Sequence, residues 1–352
     1  VKQEVVEIER VYARYTARKV AIILALLAAL AAVVVVVTPL GVASVGWGEV
    51  VRAILSKLPF LDVESGRRAS IIVWDLRLPR IAMAIVCGMG LALSGAVMQG
   101  VLRNPLASPF TLGISSAACF GGTVAMVCGA TMAGGDRYVV IASAFLFGLG
   151  ALVLIYGISR RRGATPEMVI LCGIALMYLF LALSSTLSVA GPAAGASFLL
   201  ISGNLVQSSW ETMRVTLGFL LISIPLLLKY SWDLNALALG DEVALGLGVN
   251  LRRVRVVCLV LATVIVSGIV CFTGVIGFVC LMAPYIARMM MGNDHRLIFP
   301  CSALIGALLL LGTDTLGRTI GGSFEIPVGL LITLIGVPFL IYLALGRRSY
   351  EA

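Results

Sequence analysis

From residue 20 onward the chain is a succession of apolar runs, cut by short breaks that carry charges, Pro or Gly. The first run, VAIILALLAALAAVVVVV at 20–37, contains no charge. A helix needs about 20 mainly apolar residues to cross a bilayer, and none of the runs shows the period-two alternation of a membrane strand. Lipid cannot solvate backbone amides, so such runs are expected to satisfy them internally as helices. The breaks predict about ten spans, near 20–39, 77–101, 109–130, 138–158, 167–190, 212–229, 254–272, 275–291, 297–319 and 327–345. The expected fold class is an all-α integral membrane protein of one domain, 1–352. Its principal connectors are an N-terminal segment 1–19, a long segment 40–76 and a polar connector 233–253.

Composition agrees: 60% of residues are hydrophobic, 12% are charged and mean hydropathy is +1.08, against about 25% charged in soluble domains. The run at 20–37, preceded by Arg10, Arg14, Arg18 and Lys19, exceeds the roughly 7–15 apolar residues of a signal peptide. It is therefore expected to stay as an anchor. Most of the 26 basic residues fall on one side of the predicted spans, with both termini. The Lys/Arg bias makes that side cytoplasmic and the protein a multi-pass component of the cell (inner) membrane. Arg52, Lys57, Arg67, Arg68, Arg77 and Arg80 instead lie in or just after the external segment 40–76. Within it, GEVVRAILSKL at 48–58 has helical apolar spacing, as in a helix lying on a membrane surface. The positive patch suits lipid headgroups or an acidic protein partner.

Several chemistries are missing. A phosphate-cradling GxxxxGK[ST] loop needs a Gly-Lys pair, and Lys2, Lys19, Lys57 and Lys229 follow Val, Arg, Ser and Leu. The eight cysteines stand singly with no CxxC, so no disulfide framework or metal site is expected. The one histidine, His295 in GNDHR, reads as a solvated loop residue. No catalytic, cofactor or metal site is expected. An acid within a span is a functional candidate by default, but Asp314 has Arg318 one turn on, a spacing that lets the two pair. A structural pair is the favoured reading. Gly90, Ser94 and Gly95 offer close helix contact. Asn104-Pro105, Pro109 and Pro284 suggest interrupted helices, tolerated in membranes where they line protein or a cavity. RLPR leading to Leu93-Ser94-Gly95, and RRVR leading to Val266-Ser267-Gly268, form a faint echo between spans entering from opposite sides.

Four segments in order then resemble one family: 77–116 (RLPRIAMAIVCGMGLALSGAVMQGVLRNPLASPFTLGISS), 236–249 (ALALGDEVALGLGV), 274–300 (GVIGFVCLMAPYIARMMMGNDHRLIFP) and 325–343 (EIPVGLLITLIGVPFLIYL). They resemble FecCD-type permeases, the membrane subunits of type II ABC importers for iron-siderophores, vitamin B12 and haem. The resemblance implies a type II importer permease fold of ten helices and a homodimer with a central path. It also implies two ABC ATPase subunits holding ATP and Mg, an external substrate-binding protein, and surrounding lipid. Nucleic acid is not an expected partner. In the vitamin B12 member, external arginines pair with glutamates of the binding protein, and by position Arg77, Arg80 and Arg318 match them. The cytoplasmic gate falls at Ala164-Thr165-Pro166-Glu167, where the vitamin B12 importer has small hydroxyl residues and this chain has Pro166 and Glu167.

The connector at 236–255 then reads as two short helices that couple to the ATPase. Asp241 and Glu242 suit a helix N-terminus, Gly246 or Gly248 its left-handed end, and Asn250 the next cap. Gly240, Asp241, Glu242, Val243, Ala244, Leu247 and Gly248 form the expected coupling element, with Val243, Ala244 and Leu247 as a small apolar face. The expected function is ATP-driven import of a metal chelate, ferric siderophore first and vitamin B12 or haem next. An ion-coupled secondary carrier is the more remote alternative.

Overall fold

The computed structural model describes residues 2–41, 45–57, 66–130, 136–160, 166–190, 200–320 and 325–346, with side chains between Thr16 and Tyr342 except those of Pro166 and Ala190. Among these residues every regular element is helical. They are α1 (Lys2–Val37), α2 (Trp47–Leu55), α3 (Arg67–Ile71), a π segment (Ile72–Arg77), α4 (Leu78–Leu102), α5 (Ile114–Val127), α6 (Arg137–Ser159) and α7 (Pro166–Ala190). There follow α8 (Trp210–Lys229), α9 (Ser231–Ala238), α10 (Asp241–Gly246), α11 (Leu251–Thr273), α12 (Val279–Met291), α13 (His295–Ile320) and α14 (Val328–Gly346). Seven helical stretches are long and apolar enough to span a membrane, and α5, α12 and α14 are shorter apolar helices. The ten apolar runs therefore all appear as helices.

Helix α4 is the axis of the bundle. It packs on α8, α11, α12 and α13, while α5 joins α6 and α7 at one flank and α1 lies along α13. Helices α4 and α11 are buried over most of their length, whereas α1, α7 and α8 keep wide apolar faces exposed. Helix contact in lipid gains little from apolar burial and depends on close packing through small residues. Gly88 and Gly306 provide it between α4 and α13: a methyl group on either would overlap the other's carbonyl oxygen. Gly95 does the same against the Cys280 carbonyl of α12. That carbonyl lies four residues before Pro284, whose ring nitrogen cannot bond it, so the small residue meets a carbonyl its own helix leaves free. The sequence pointed to Gly90 and Ser94 as well, but Gly90 faces the Ile265 and Ile269 side chains and the Ser94 hydroxyl donates back to the Gly90 carbonyl at 2.8 Å.

Two expectations about breaks need correction. Pro284 does not interrupt its span, because it sits inside α12; the interruption comes earlier, at 274–278. There Gly274 (φ 72°) and Phe278 (φ 58°) turn the chain, and the segment 200–204 lies against the turn through backbone hydrogen bonds. Val275 N donates to Leu200 O (2.9 Å), Asn204 N to Thr273 O (2.8 Å) and Gly329 N to Gly203 O (2.9 Å). The second correction concerns residues 67–76, expected in the external connector. They form a helical extension of α4 with one π turn. Helix α2 packs on that extension rather than lying apart, burying Val50 and Ala53 against Val45 and Val73. Trp74 Nε1 donates to Ala53 O at 2.8 Å and ties the two together. By contrast, the break at Asn104-Pro105 appears where expected, with Arg103 in a left-handed conformation (φ 49°) and α5 beginning only at Ile114.

Candidate functional site

Charged side chains gather at the two ends of the bundle. At one end lie α9 and α10. Gly240 (φ 115°) permits the sharp turn between them, and α10 opens with Asp241 and Glu242 at its positive N-terminus. Asp241 accepts from Arg103 of the α4 terminus at 2.6 Å and from Arg255 of α11 at 2.7 Å. One carboxylate thus ties the short helix to two long ones. Of the two glycines offered for the stop, Gly248 takes the left-handed conformation (φ 81°), while Gly246 stays helical. Asn250 caps α11 by accepting from Arg253 N at 3.0 Å.

The expected apolar face is altered in one member. Val243 and Leu247 are 47% and 65% exposed, but Ala244 is 0% exposed. Its position, three residues after Asp241, is the one the double anchor turns inward. The exposed surface is therefore Leu239, Val243, Leu245 and Leu247. Thr165 and Ala164 of the expected gate lie outside the described residues, as does the Pro166 side chain; Glu167 is exposed in the first turn of α7.

His295 is not a solvated loop residue. It is 3% exposed, packed edge-on to Phe299 and against Gly100. Asn235 Oδ1 accepts from both its backbone N and its ring Nδ1 at 2.8 Å, and Asn235 Nδ2 donates to Asp294 Oδ1 at 2.8 Å. The Arg296 guanidinium, donating to Asp294 at 2.6 Å, draws that carboxyl down to about 2, aided by Asn235 and the Arg296 amide.

The opposite end holds the arginines expected to dock the binding protein, and here each is buried or half-buried and engaged within the chain. Arg77 is 5% exposed and donates to Thr38 O (3.0 Å) and Pro39 O (2.9 Å) just past α1. Arg80 makes a two-pronged contact to Asp314 (Nη2–Oδ1 2.9 Å, Nε–Oδ1 3.0 Å) and reaches Glu325 at 2.7 Å. Arg318 Nε stands 3.0 Å from Asp314 Oδ2, off the direction of a good hydrogen bond, so that pair is held by charge alone. The Asp314–Arg318 pair is present as the spacing predicted, and Arg80 and Glu325 complete a network that local spacing did not contain. The basic side chains exposed at this end are Arg52, Lys57, Arg67, Arg68 and Arg214. Among the described residues no group of three or more His, Cys, Asp or Glu could hold a metal.

A family model described as the FecCD transport family matches residues 18–346. The chain is 37% identical over 313 residues to the Fe(3+)-citrate import system permease protein YfmE of Bacillus subtilis, covering 88% of this chain and 92% of that one. It is 39% identical over 285 residues to the hemin transport system permease protein HmuU of Yersinia pestis, covering 80% and 85%. Among solved structures it resembles an inward-facing metal-chelate type ABC transporter, with a TM-score of 0.77 and 32% identity over 93% of this chain and 99% of that one.

Proposed function

Because this chain belongs to the FecCD transport family, a permease subunit and not the ATPase of its importer, we propose that it forms a homodimer carrying a ferric chelate inward through its centre. The chelate arrives on an external binding protein, and ATP closing on two separate ATPase chains drives alternating access. Ferric siderophore is the first choice of cargo, since the relatives include a ferric citrate permease; haem and vitamin B12 follow. The apolar faces left open on α7 and α14, with Leu171, Tyr178, Leu334 and Tyr342 exposed, supply surface for a second copy and for lipid.

The observation that carries this reading is α10. A six-residue helix presents Val243, Leu245 and Leu247 outward while its first carboxylate is clamped to α4 and α11. An apolar helix face of this kind fits a groove on a partner, and the clamp passes a push on α10 to two spanning helices. This end is then cytoplasmic, in keeping with the Lys/Arg bias. The test is ATP-driven uptake of ferric chelate in proteoliposomes holding permease and ATPase. Leu247→Asp should cut uptake about tenfold, a loss of roughly 1.4 kcal/mol, with the permease still folded. Wild-type uptake in that variant would return α10 to a plain connector.

An ion-coupled carrier is disfavoured by Asp314. A carboxylate held by two arginines has no vacancy for a coupling cation. Uptake that collapses with a protonophore while ATP is clamped would revive that alternative.

A further inference from the structure

At the α10 end, between the ends of α4, α12 and α13, lies a cavity of about 450 Å³, within the range of small-molecule sites. Gln99, Arg103, Tyr285, Arg288, Asn293 and His295 are among the residues lining it, and no Asp or Glu is. Three of these side chains hold unspent polar capacity. Gln99 is 2% exposed, yet neither its Oε1 nor its Nε2 has a hydrogen-bond partner. His295 Nε2 is buried and unpartnered. Among the described residues Arg288 has no ion-pair or hydrogen-bond partner, although every other half-buried or buried arginine described at either end has one.

Buried polar groups are nearly always paired, and exceptions ask for an explanation such as a missing ligand. The chemistry of the vacancy is specific. Arg288 supplies a planar set of donors and a positive charge, and Arg103 adds a second cation at the rim. In the neutral ring, Nδ1 must carry the proton, because Asn235 Oδ1 is an acceptor already facing the His295 amide. Nε2 is then an acceptor. The Gln99 amide offers two N–H donors and a carbonyl acceptor. A group with negative oxygens and an O–H serves the Arg288 and Gln99 donors and one of the two acceptors.

We propose that this cavity binds a small, partly protonated oxyanion of the monohydrogen-phosphate type, with Arg288 as its charge partner and Gln99 and His295 as its hydrogen-bond partners. Arg103, shared between the cavity rim and Asp241 at the start of α10, places the bound anion beside the coupling helix. Two sources share this chemistry, a free oxyanion and the phosphate of a lipid headgroup.

The test uses the full chain in phosphatidylcholine nanodiscs, titrated with inorganic phosphate at constant ionic strength against chloride. Anything bound only by the folded protein raises its unfolding midpoint with saturation. A saturable rise with phosphate is expected, with affinity lowered about tenfold or more in Arg288→Gln, as loss of a charge-assisted bond implies. Gln99→Leu removes two unpartnered atoms, so it folds as well as the parent and should weaken phosphate severalfold. Repeating the titration in phosphatidylglycerol nanodiscs separates the sources. A phosphate effect that survives there marks a free oxyanion; one that vanishes, together with Arg288-dependent retention of phosphatidylglycerol in native mass spectrometry, marks a headgroup. Absence of saturation, an equal response to chloride, or an unchanged response in both variants overturns the site.

Discussion

Asp314 shows how far a local reading of charge reaches. Its partner at i+4 is legible because one helical turn brings Arg318 beneath it, and the pair is there at 3.0 Å. Arg80 and Glu325 lie 234 and 245 positions apart from the groups they meet, a separation that no sequence spacing encodes. Once Arg80 is seen to share Asp314, the consequence of removing the acid changes. Asp314→Asn leaves two arginines facing each other in a buried setting, and breaking such a pair costs on the order of 3–5 kcal/mol. Thermal unfolding of the purified variant should therefore show a clear drop in midpoint, and an unchanged midpoint would mean that the network contributes nothing. Arg77 belongs to the same lesson: its Nη1 donates to two carbonyls just past α1, 39 and 38 positions away in the chain.

Among the elements, α10 and α12 were legible to different degrees. The Gly–Asp–Glu opening and the Asn250 cap announce the boundaries of α10 and α11, because capping is a property of a few adjacent residues. Which side of α10 faces outward was not legible, since it depends on Arg103 and Arg255 arriving from elsewhere. A paired substitution separates the two faces. Ala244→Asp, at a fully buried position, should lower the yield of folded, monodisperse protein on size exclusion, whereas Leu247→Asp should leave it unchanged. Equal profiles would contradict the orientation of the helix. For α12, Gly95 and Pro284 act together across the helix pair. Gly95→Val drives a side chain into the Cys280 carbonyl, and overpacking of this kind costs about 1–3 kcal/mol or more. A lower unfolding midpoint is expected, and one equal to the parent's would show that α4 and α12 can separate without penalty.

For the molecule as a whole, the question is which surface meets an external partner. With Arg77, Arg80 and Arg318 buried or half-buried in the bundle, the described cations left to solvent at the α2 end are Arg52, Lys57, Arg67, Arg68 and Arg214. Rim charges act chiefly on association rate and its salt dependence. The double change Arg67→Glu with Arg68→Glu should slow capture of the binding protein severalfold at low salt in surface plasmon resonance, with the difference shrinking as salt rises. Unaltered capture would exclude this surface. Arg80→Glu, in contrast, should chiefly destabilise the fold, because it adds a third acid beside Asp314 and Glu325.

The sequence by itself determined the all-helical membrane character, the number of apolar runs and the resemblance to one transporter family. Each of these rests on properties that a segment carries alone: a span must satisfy its own backbone in lipid, and a motif is an ordered string. Only the tertiary structure decided which charges are spent and which are free. It buried Ala244, His295, Arg77 and Arg318, moved the break from Pro284 to 274–278, and left Arg288 and Gln99 facing a cavity without partners. The physical reason is common to all of them. A side chain's exposure and its hydrogen-bond partners are set by helices packed against it from distant parts of the chain, and that packing is absent from any local pattern.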